Sequence, residues 1–394
     1  MRNFIKIACV ALAMVFIASL AACSLTPQYS YKDEETELPM GVYIYNLYSA
    51  YSQAQSLAQQ SELYDSEAGT YDGKKSFLKM EITDEDGKTA TADEWIADKA
   101  DELTSNILAV YHEFDRLGST IDEATLTSYK DQAKEVWDHG YYAEYYGENP
   151  YSAMYEPMGV SFDSFYIATY YAGAMQEAIF TDLYGATGEE AVTDKELTKF
   201  FTSEYTSYRF FKKDLYTTEE VSSIDDDGNE TTDNVDTALS KDEIKSIKSD
   251  FKNYVSEIKN GVSIDDVVAQ FNEAEGNESD TSQSGVERMD ESSIGENLVE
   301  EINKLKEGEA SYKVIGDDEN TQVIYFFYKA PIKDSINDYI KNETQRATIL
   351  QEMKGDTFND HLDEVAAEID ITISGACKSY TPKTLETKIA ENSK

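Results

Sequence analysis

Cysteine is nearly absent from this chain, which contains only Cys9, Cys23 and Cys377. The first two lie within or directly after an N-terminal apolar segment, so Cys377 is the only cysteine in the rest of the chain. A lone thiol cannot form an internal disulfide. The fold must therefore be held together without disulfide bonds.

Histidine is equally scarce, with only His112, His139 and His361. His112-Glu113 is not followed by a second histidine at helical spacing, which excludes the usual zinc-protease motif. Three scattered imidazoles are more typical of surface or core histidines than of a metal centre. The chain also lacks a Gly-x-Ser-x-Gly elbow, a phosphate loop and a dinucleotide fingerprint. We therefore expect no metal ion and no cofactor.

Positive charge is in short supply: 34 Lys and Arg stand against 77 Asp and Glu, for a formal net charge of −43. A surface this acidic repels nucleic acid and has no electrostatic attraction for anionic lipid. It suits basic or neutral partners instead, and it keeps a protein soluble.

Long apolar runs are missing except at the N-terminus. Arg2 and Lys6 precede an apolar run over 7–20, which ends in Leu20-Ala21-Ala22-Cys23. This arrangement is typical of a secretory signal peptide, and the final four residues resemble the bacterial lipobox. We predict a signal peptide over 1–22, lipidation of Cys23, and a protein anchored to the outer face of the cytoplasmic membrane. The alternative is an ordinary signal peptide with an incidental cysteine.

Helical periodicity dominates the chain from about residue 41, after a polar segment over 23–40 that we interpret as a tether. The helices predicted before residue 206 span about 41–65, 91–117, 122–146, 161–183 and 193–205. Strand patterns then appear at 208–216, 312–315 and 322–329, with helices at 242–259, 264–271 and 297–305 between them. The polar stretches 219–236 and 274–292 read as loops, and 334–369 as a long helix. The expected fold class is α+β.

Aromatic residues are abundant, with 29 Tyr and 16 Phe. Many of them lie close together in the sequence with two methionines, in a region that contains Tyr141, Tyr145, Tyr151, Met154, Tyr155, Met158, Phe162 and Phe165. They can form a helical core, or an adaptable apolar groove for unfolded chains, since tyrosine offers amphipathic contact area and methionine repacks easily. Tyr155, Met158 and Phe162 are the candidates for client binding in this region.

The layout resembles the extracytoplasmic foldases of the PrsA and SurA type. Residues 192–201 are similar to the helix that leads into the inserted domain of that family, and 258–268 to its helix, glycine and second helix. Residues 305–311, Leu-Lys-Glu-Gly-Glu-Ala-Ser, resemble its Leu-Lys-x-Gly-Glu-x-Ser turn. The resemblance implies a helical chaperone domain built from 41–205 and 334–394. A parvulin-like α+β domain is then expected over 206–333.

The chain departs from the family at the catalytic positions. Active parvulins usually carry one histidine in the first strand and one in the last, on neighbouring strands, yet 206–333 contains neither histidine nor cysteine. Aromatic residues stand near the expected places, and we name Phe210, Tyr325 and Phe327 as further candidates for client binding. We assign no catalytic residue.

These features lead to a hypothesis of a membrane-anchored chaperone for unfolded, newly secreted polypeptides, with a degenerate parvulin-like domain. The oligomeric state is left open, with a dimer as one candidate. One alternative is a peptidyl-prolyl isomerase that works through apolar residues, because prolyl isomerisation breaks no covalent bond. Another is a passive surface or solute-binding lipoprotein.

Overall fold

The computed structural model describes residues 29–61, 64–65, 70–71, 75–85, 87–141, 143–224 and 230–392. Its helices are α1 Met40–Ala58, α2 Ala92–Leu117, α3 Glu123–His139, α4 Ala143–Tyr146, α5 Tyr151–Tyr155, α6 Phe162–Tyr166, α7 Ala172–Tyr184, α8 Asp194–Glu204, α9 Lys241–Lys259, α10 Ile264–Glu275, α11 Glu296–Asn303, α12 Ile336–Ile340, α13 Glu343–Glu368, α14 Gly375–Ser379 and α15 Pro382–Asn392. Its strands are β1 Tyr29–Lys32, β2 Glu37–Pro39, β3 Tyr64–Asp65, β4 Thr70–Tyr71, β5 Lys75–Ser76, β6 Glu81–Thr83, β7 Thr89–Thr91, β8 Tyr205–Asp214, β9 Tyr216–Ile224, β10 Glu230–Ala238, β11 Gln283–Arg288, β12 Ala310–Ile315, β13 Val323–Ala330 and β14 Thr372–Ile373. The expected α+β class is confirmed.

The chain divides into two compact units. The first contains the described residues up to Ala191 together with those from Lys354, and the second is Val192–Met353. The sequence placed the ends of the insert at 206 and 333, so the second unit is longer at both ends. The reason is packing on α8, where the Phe201 ring stacks on Tyr339 with centroids 5.2 Å apart, and Arg346 donates to Asp194 at 3.1 Å.

The first unit contains a helical core around α1 and α2. α1 is amphipathic and buries Val42, Leu47 and Ala50 completely. α2 begins with a capping box formed by Thr91 and Glu94, and it ends at Gly118, whose positive φ of 63° suits a glycine C-cap. Asn46 of α1 donates to Thr104 of α2 at 3.0 Å, so the polar groups at this buried interface are satisfied.

The predicted tether is wrong over its second half. β1 and β2 lie within 23–40, and β1 pairs with β14 as well as with β2 in the order β14-β1-β2. Tyr31 and Leu38 are each 1 % exposed and pack in the core of the first unit. Polar neighbours made these two short strands hard to recognise in the sequence. The signal peptide, Cys23 and the start of the tether lie outside the described residues.

A buried carboxylate lies between α2 and the later part of α13. Glu113 is 1 % exposed, and it accepts two hydrogen bonds from Arg116, at 2.7 and 2.8 Å. Nε2 of His361 lies 2.8 Å from Oε1 of Glu113, the oxygen that also accepts from Nη2 of Arg116. Burial alone would raise the pKa of Glu113, but the hydrogen bonds from Arg116 and His361 outweigh burial and hold the pKa below its usual 4.5.

Replacing Glu113 tests this interaction. We expect Glu113→Gln to lower the free energy of unfolding of the first unit by about 2–4 kcal/mol at pH 7, because Arg116 loses a buried charged partner. Since the native pKa lies below the unfolded one, the stabilisation is complete above the unfolded pKa and is lost as pH falls through the native pKa. The difference from the wild type should therefore shrink below about pH 4.

The measurement is urea unfolding followed by tryptophan fluorescence, because Trp95 and Trp137 both lie in the first unit. Glu189→Gln is the matched control, since Glu189 also pairs with Arg116, at 3.1 Å, but is 59 % exposed. It should change stability by less than about 0.5 kcal/mol. Equal effects of the two variants, or a difference that persists at low pH, would contradict the assignment.

Cys377 is buried beneath β1, with 2 % of its surface exposed. Nearby, the hydroxyl of Tyr31 donates to the carboxylate of Asp101. Burial is the largest cause of a raised thiol pKa, and the negative charge of Asp101 adds to it, so the pKa of Cys377 rises to about 12. A thiol of this kind carries almost no thiolate at neutral pH.

We expect native protein comprising residues 24–394 to react with a disulfide reagent such as DTNB at least about a hundredfold more slowly than the same protein in urea. Cys377 is the only thiol in that chain, so the absorbance reports it directly. Cys377→Ser gives the background rate. Rapid labelling without denaturant would show that the α14 region opens readily.

The second unit is organised around a four-stranded antiparallel sheet in the order β11-β8-β13-β12. Alternation along the strands gives the sheet two apolar faces. Phe211 and Phe326 face the core formed with α9 and α10, and Phe210 and Phe327 face the opposite core beside α11. The strands and helices predicted between 208 and 329 are confirmed with small shifts of their ends.

Two predicted loops of the second unit are partly strands. β9 and β10 pair over nine positions within the supposed loop 219–236, and β11 lies inside the supposed loop 274–292. Their sequences are polar because β9 and β10 have no core beneath them and β11 is an edge strand. Hydrophobic alternation, the usual sign of a strand, is weak in both places.

Candidate functional site

The first candidate site is the sheet face of the second unit that lies beside α11. Because β8 and β13 are neighbours, Phe210 is directly opposite Phe327. Their rings form a row with those of Tyr208 and Tyr325, with centroids 6.1 Å apart for Tyr208–Phe210, 6.3 Å for Phe210–Tyr325 and 5.9 Å for Tyr325–Phe327. We call this set of four rings the aromatic row.

Tyr208 is the residue of this row that the sequence analysis missed. Its hydroxyl donates to Glu287 of β11, which also accepts from Ser292 at 2.8 Å. Burial is the main cause of a raised pKa of Tyr208, and Glu287 raises it further. Gly285, opposite Tyr208, makes room for the ring, since a Cβ there would lie 2.5 Å from the tyrosine oxygen. That glycine in a polar strand was the available signal.

α11 covers much of the aromatic row. Ile302 of α11 is fully buried in the same cluster. An ion pair holds the helix against β12, because Lys313 of β12 contacts Glu301 of α11 at 2.5 Å. Phe327 is therefore 0 % and Phe210 4 % exposed. Both belong to the core in this conformation, and client binding by them stays a prediction. Tyr325 is half-buried and keeps accessible surface.

Chemically, the aromatic row offers apolar contact area. Its polar groups are the two tyrosine hydroxyls, and that of Tyr208 is already bonded to a carboxylate. Histidine and cysteine are absent from the sequence of the whole second unit. The face thus suits the binding of apolar side chains, and it carries none of the imidazole or thiol groups that the family resemblance would lead one to expect.

The second candidate site is the aromatic cluster of the first unit. Tyr155 is 5 % exposed, and its ring has neighbours on every side, including Tyr45 and Tyr48 with centroids 5.3 Å away and Tyr151 at 5.5 Å. Met158 is 3 % exposed, and its carbonyl accepts from Tyr380 at 2.9 Å. These two are core residues, as the first of the two alternatives for this region expects, and client binding by them stays a prediction.

Phe162, the third candidate here, is half-buried at the edge of the same cluster. Its ring lies 6.0 Å from that of Trp137 and 6.2 Å from that of Tyr166. Lys134 places its ammonium 5.5 Å from the ring centroid, an arrangement typical of a cation–π contact. The exposed part of Phe162 therefore remains available, and client binding there stays a prediction.

Among the described residues of the first unit, the large exposed aromatic side chains lie in a loop whose tyrosines the sequence analysis placed in the crowded aromatic region but did not name as client-binding candidates. Tyr141 is 54 % and Tyr145 80 % exposed. The loop is closed at its base, where Asn149 donates to the carbonyl of His139 at 2.9 Å. Gly140 is required there because its φ is 91° and a Cβ would lie 2.2 Å from the Asn149 oxygen. We call residues 140–149 the tyrosine loop.

The tyrosine loop is attached to the aromatic cluster. The Tyr141 ring lies 5.6 Å from that of Tyr151, and its hydroxyl lies 3.3 Å from that of Tyr170. Exposed Tyr141 therefore contacts rings of the aromatic cluster directly. Glycines at 140 and 147, which flank the tyrosines in the sequence, were the signal that could have indicated an exposed loop.

A cavity of about 290 Å³ lies within the second unit, between β11 and the beginning of α13. Its charged groups are already paired: Arg288 contacts Glu291 at 2.8 Å, and Tyr205 donates to Glu352. None of the six predicted client-binding residues lines it.

Among the described residues, no cluster of three or more histidine, cysteine or acidic side chains has a geometry that could hold a metal ion. None of the helices in the described ranges is both long and apolar enough to cross a membrane. Comparisons with protein-family models, with curated proteins and with solved structures found no match to this chain.

Phe327 and Tyr325 of the aromatic row differ in solvent exposure, and we therefore expect different losses of stability when each is truncated to alanine. Phe327→Ala should destabilise the second unit by about 3–5 kcal/mol, because it removes a fully buried ring from a packed core. Tyr325→Ala should lower the stability of the second unit by about 1–2 kcal/mol, since this side chain is already partly exposed to solvent.

Hydrogen–deuterium exchange of peptides from β8 and β13 measures both effects. Tryptophan fluorescence is the internal control, because both tryptophans lie in the first unit and their unfolding should be unchanged. Equal losses of protection in the two variants would contradict the difference in burial.

Proposed function

We propose that this protein is a lipid-anchored chaperone that binds unfolded polypeptides outside the cytoplasmic membrane. One observation carries the proposal. The first and last strands of the inserted unit, β8 and β13, are neighbours, and the rings of Phe210 and Tyr325, with centroids 6.3 Å apart, lie near the places where the family resemblance expects paired catalytic histidines. That arrangement supports a degenerate parvulin-like domain whose remaining chemistry is apolar contact.

The organisation of the chain supports the same proposal. One unit is formed by both ends of the chain and a second unit is inserted between them, as the resemblance to extracytoplasmic foldases implies. The anchor would be a lipid on Cys23, for which the support is the N-terminal sequence alone.

Binding of unfolded chains would take place on accessible aromatic surface. In the first unit this is the tyrosine loop with the exposed edge of Phe162, and in the second it is the accessible part of Tyr325. Tyrosine rings accept many apolar sequences at a small entropic cost, which suits a binder of diverse clients. The excess of acidic residues keeps such a protein soluble while it exposes these rings.

A chaperone of this kind should suppress aggregation of a chemically denatured client when present at comparable concentration. We expect residues 24–394 to do so, and Tyr141→Ser/Tyr145→Ser to lose about half or more of the effect, because the exposed rings supply contact area. Light scattering of denatured citrate synthase is a suitable measurement. Tyr141→Phe/Tyr145→Phe is the matched control, since it keeps the rings and should keep the activity.

The same protein should not accelerate cis/trans exchange of a short X-Pro peptide, measured by NMR exchange spectroscopy. Clear acceleration that Phe210 and Tyr325 variants abolish would replace the proposal with the isomerase alternative. If neither aggregation nor proline exchange responds while a small solute raises the melting temperature, the protein is a solute binder.

A further inference from the structure

The β9–β10 hairpin is an isolated ribbon within the second unit. Nine residue pairs join its strands, from Tyr216 opposite Ala238 to Ile224 opposite Glu230. No third strand from the described part of the chain joins it, so each strand has one open edge. An open edge presents backbone N–H and C=O groups that are ready to pair with another strand.

Neither face of this ribbon is covered. Successive side chains point to opposite faces of a strand, yet residues 217–222 are all exposed. Val221 is 45 % and Val235 44 % exposed. A two-stranded hairpin without a core beneath it is marginally stable, so a long ribbon of this kind would gain stability from a partner that pairs with it.

The base of the ribbon is fixed to the main sheet. Leu215, fully buried, donates to the carbonyl of Gln322 at 2.9 Å and accepts from Leu239 at 2.9 Å. The N–H of Ala238 donates to Asn320 at 3.2 Å. The ribbon is therefore held at one end by the folded unit while its edges stay open.

Charge restricts what can pair with the ribbon. The two strands of the ribbon, 216–224 and 230–238, contain five acidic residues and no lysine or arginine. A second copy of the same ribbon would bring ten carboxylates together, twice five, and like charges on adjacent strands are destabilising. A segment rich in lysine or arginine would instead find opposite charges beside it.

We infer that the β9–β10 ribbon binds extended, basic segments of unfolded polypeptides by adding them as a third strand to an open edge. Backbone hydrogen bonds would recognise any extended chain, and the carboxylates would select for lysine and arginine. Val221 and Val235 provide apolar contact between the charges. The inference rests on the proposed function in one respect, that the partner is an unfolded polypeptide.

The test uses a fluorescent decapeptide in which lysine alternates with valine or threonine, titrated against residues 24–394. We expect it to bind at least about tenfold more tightly than the matched glutamate peptide. Methylation of alternate backbone nitrogens should weaken binding about tenfold or more, because it removes the donors that strand addition needs.

Two variants locate the binding. In the first, an Asn-Gly turn replaces 217–237 and should abolish binding of the lysine peptide. In the second, every acid of the ribbon becomes its amide, which should remove the preference for lysine and keep the sensitivity to methylation. Exchange protection of β8 and β13 verifies that the unit remains folded in both variants.

Other results would overturn the inference. Unchanged binding to the shortened variant places the peptide elsewhere, and equal binding of the methylated peptide leaves charge attraction alone. Concentration-dependent dimerisation that the shortened variant loses would mean that a second copy occupies the edge.

The aggregation assay separates this inference from the proposed function. If the wild type suppresses aggregation while the shortened variant still binds the peptide, the inference fails and the function stands. If the wild type binds the peptide through the ribbon but does not suppress aggregation, strand addition stands and the chaperone function fails.

Discussion

The pairing of β1 with β14 is the interaction on which the organisation of this chain depends. Tyr31 lies opposite Ile373, and Ser374 donates to the carbonyl of Ser30 at 2.9 Å. These contacts join the two ends of the described chain in a single unit, with Leu385 of α15 fully buried in the same core. Everything between Val192 and Met353 is therefore an insertion into a unit that closes on itself.

The inserted unit uses strand alternation to build two cores from one sheet. Adjacent residues of β8, Phe210 and Phe211, belong to opposite cores, and so do Phe326 and Phe327 of β13. Stacked Phe211 and Phe326 rings, with centroids 4.5 Å apart, fill the side of α9 and α10. The other side holds the aromatic row, which packs in the same core as Ile302 of α11.

The acidic side chains of this chain occur in two different environments. A buried carboxylate such as Glu113 is retained because Arg116 neutralises its charge, and because both Arg116 and His361 form hydrogen bonds with it. The acids of the β9–β10 ribbon have no lysine or arginine within the ribbon to neutralise them. The proposed binding surfaces thus differ in chemistry, with exposed tyrosines for apolar segments and an acidic strand edge for basic ones.

The sequence by itself determined the helices and the main strands of the second unit, because capping boxes such as Thr193–Glu196 and Ser240–Glu243 and the spacing of apolar residues act over a few positions. It also determined that the second unit has no imidazole or thiol. Only the tertiary structure decided which aromatic rings are accessible. Tyr155 and Tyr145 look alike in the sequence. Tyr155 is surrounded by rings from elsewhere in the chain, whereas Tyr145 lies on an exposed loop whose base requires a glycine at 140. Likewise, β1 pairs with β14, far away in the chain, which local patterns do not reveal. The β9–β10 ribbon pairs locally, but it lacks the hydrophobic alternation by which a strand is predicted from sequence.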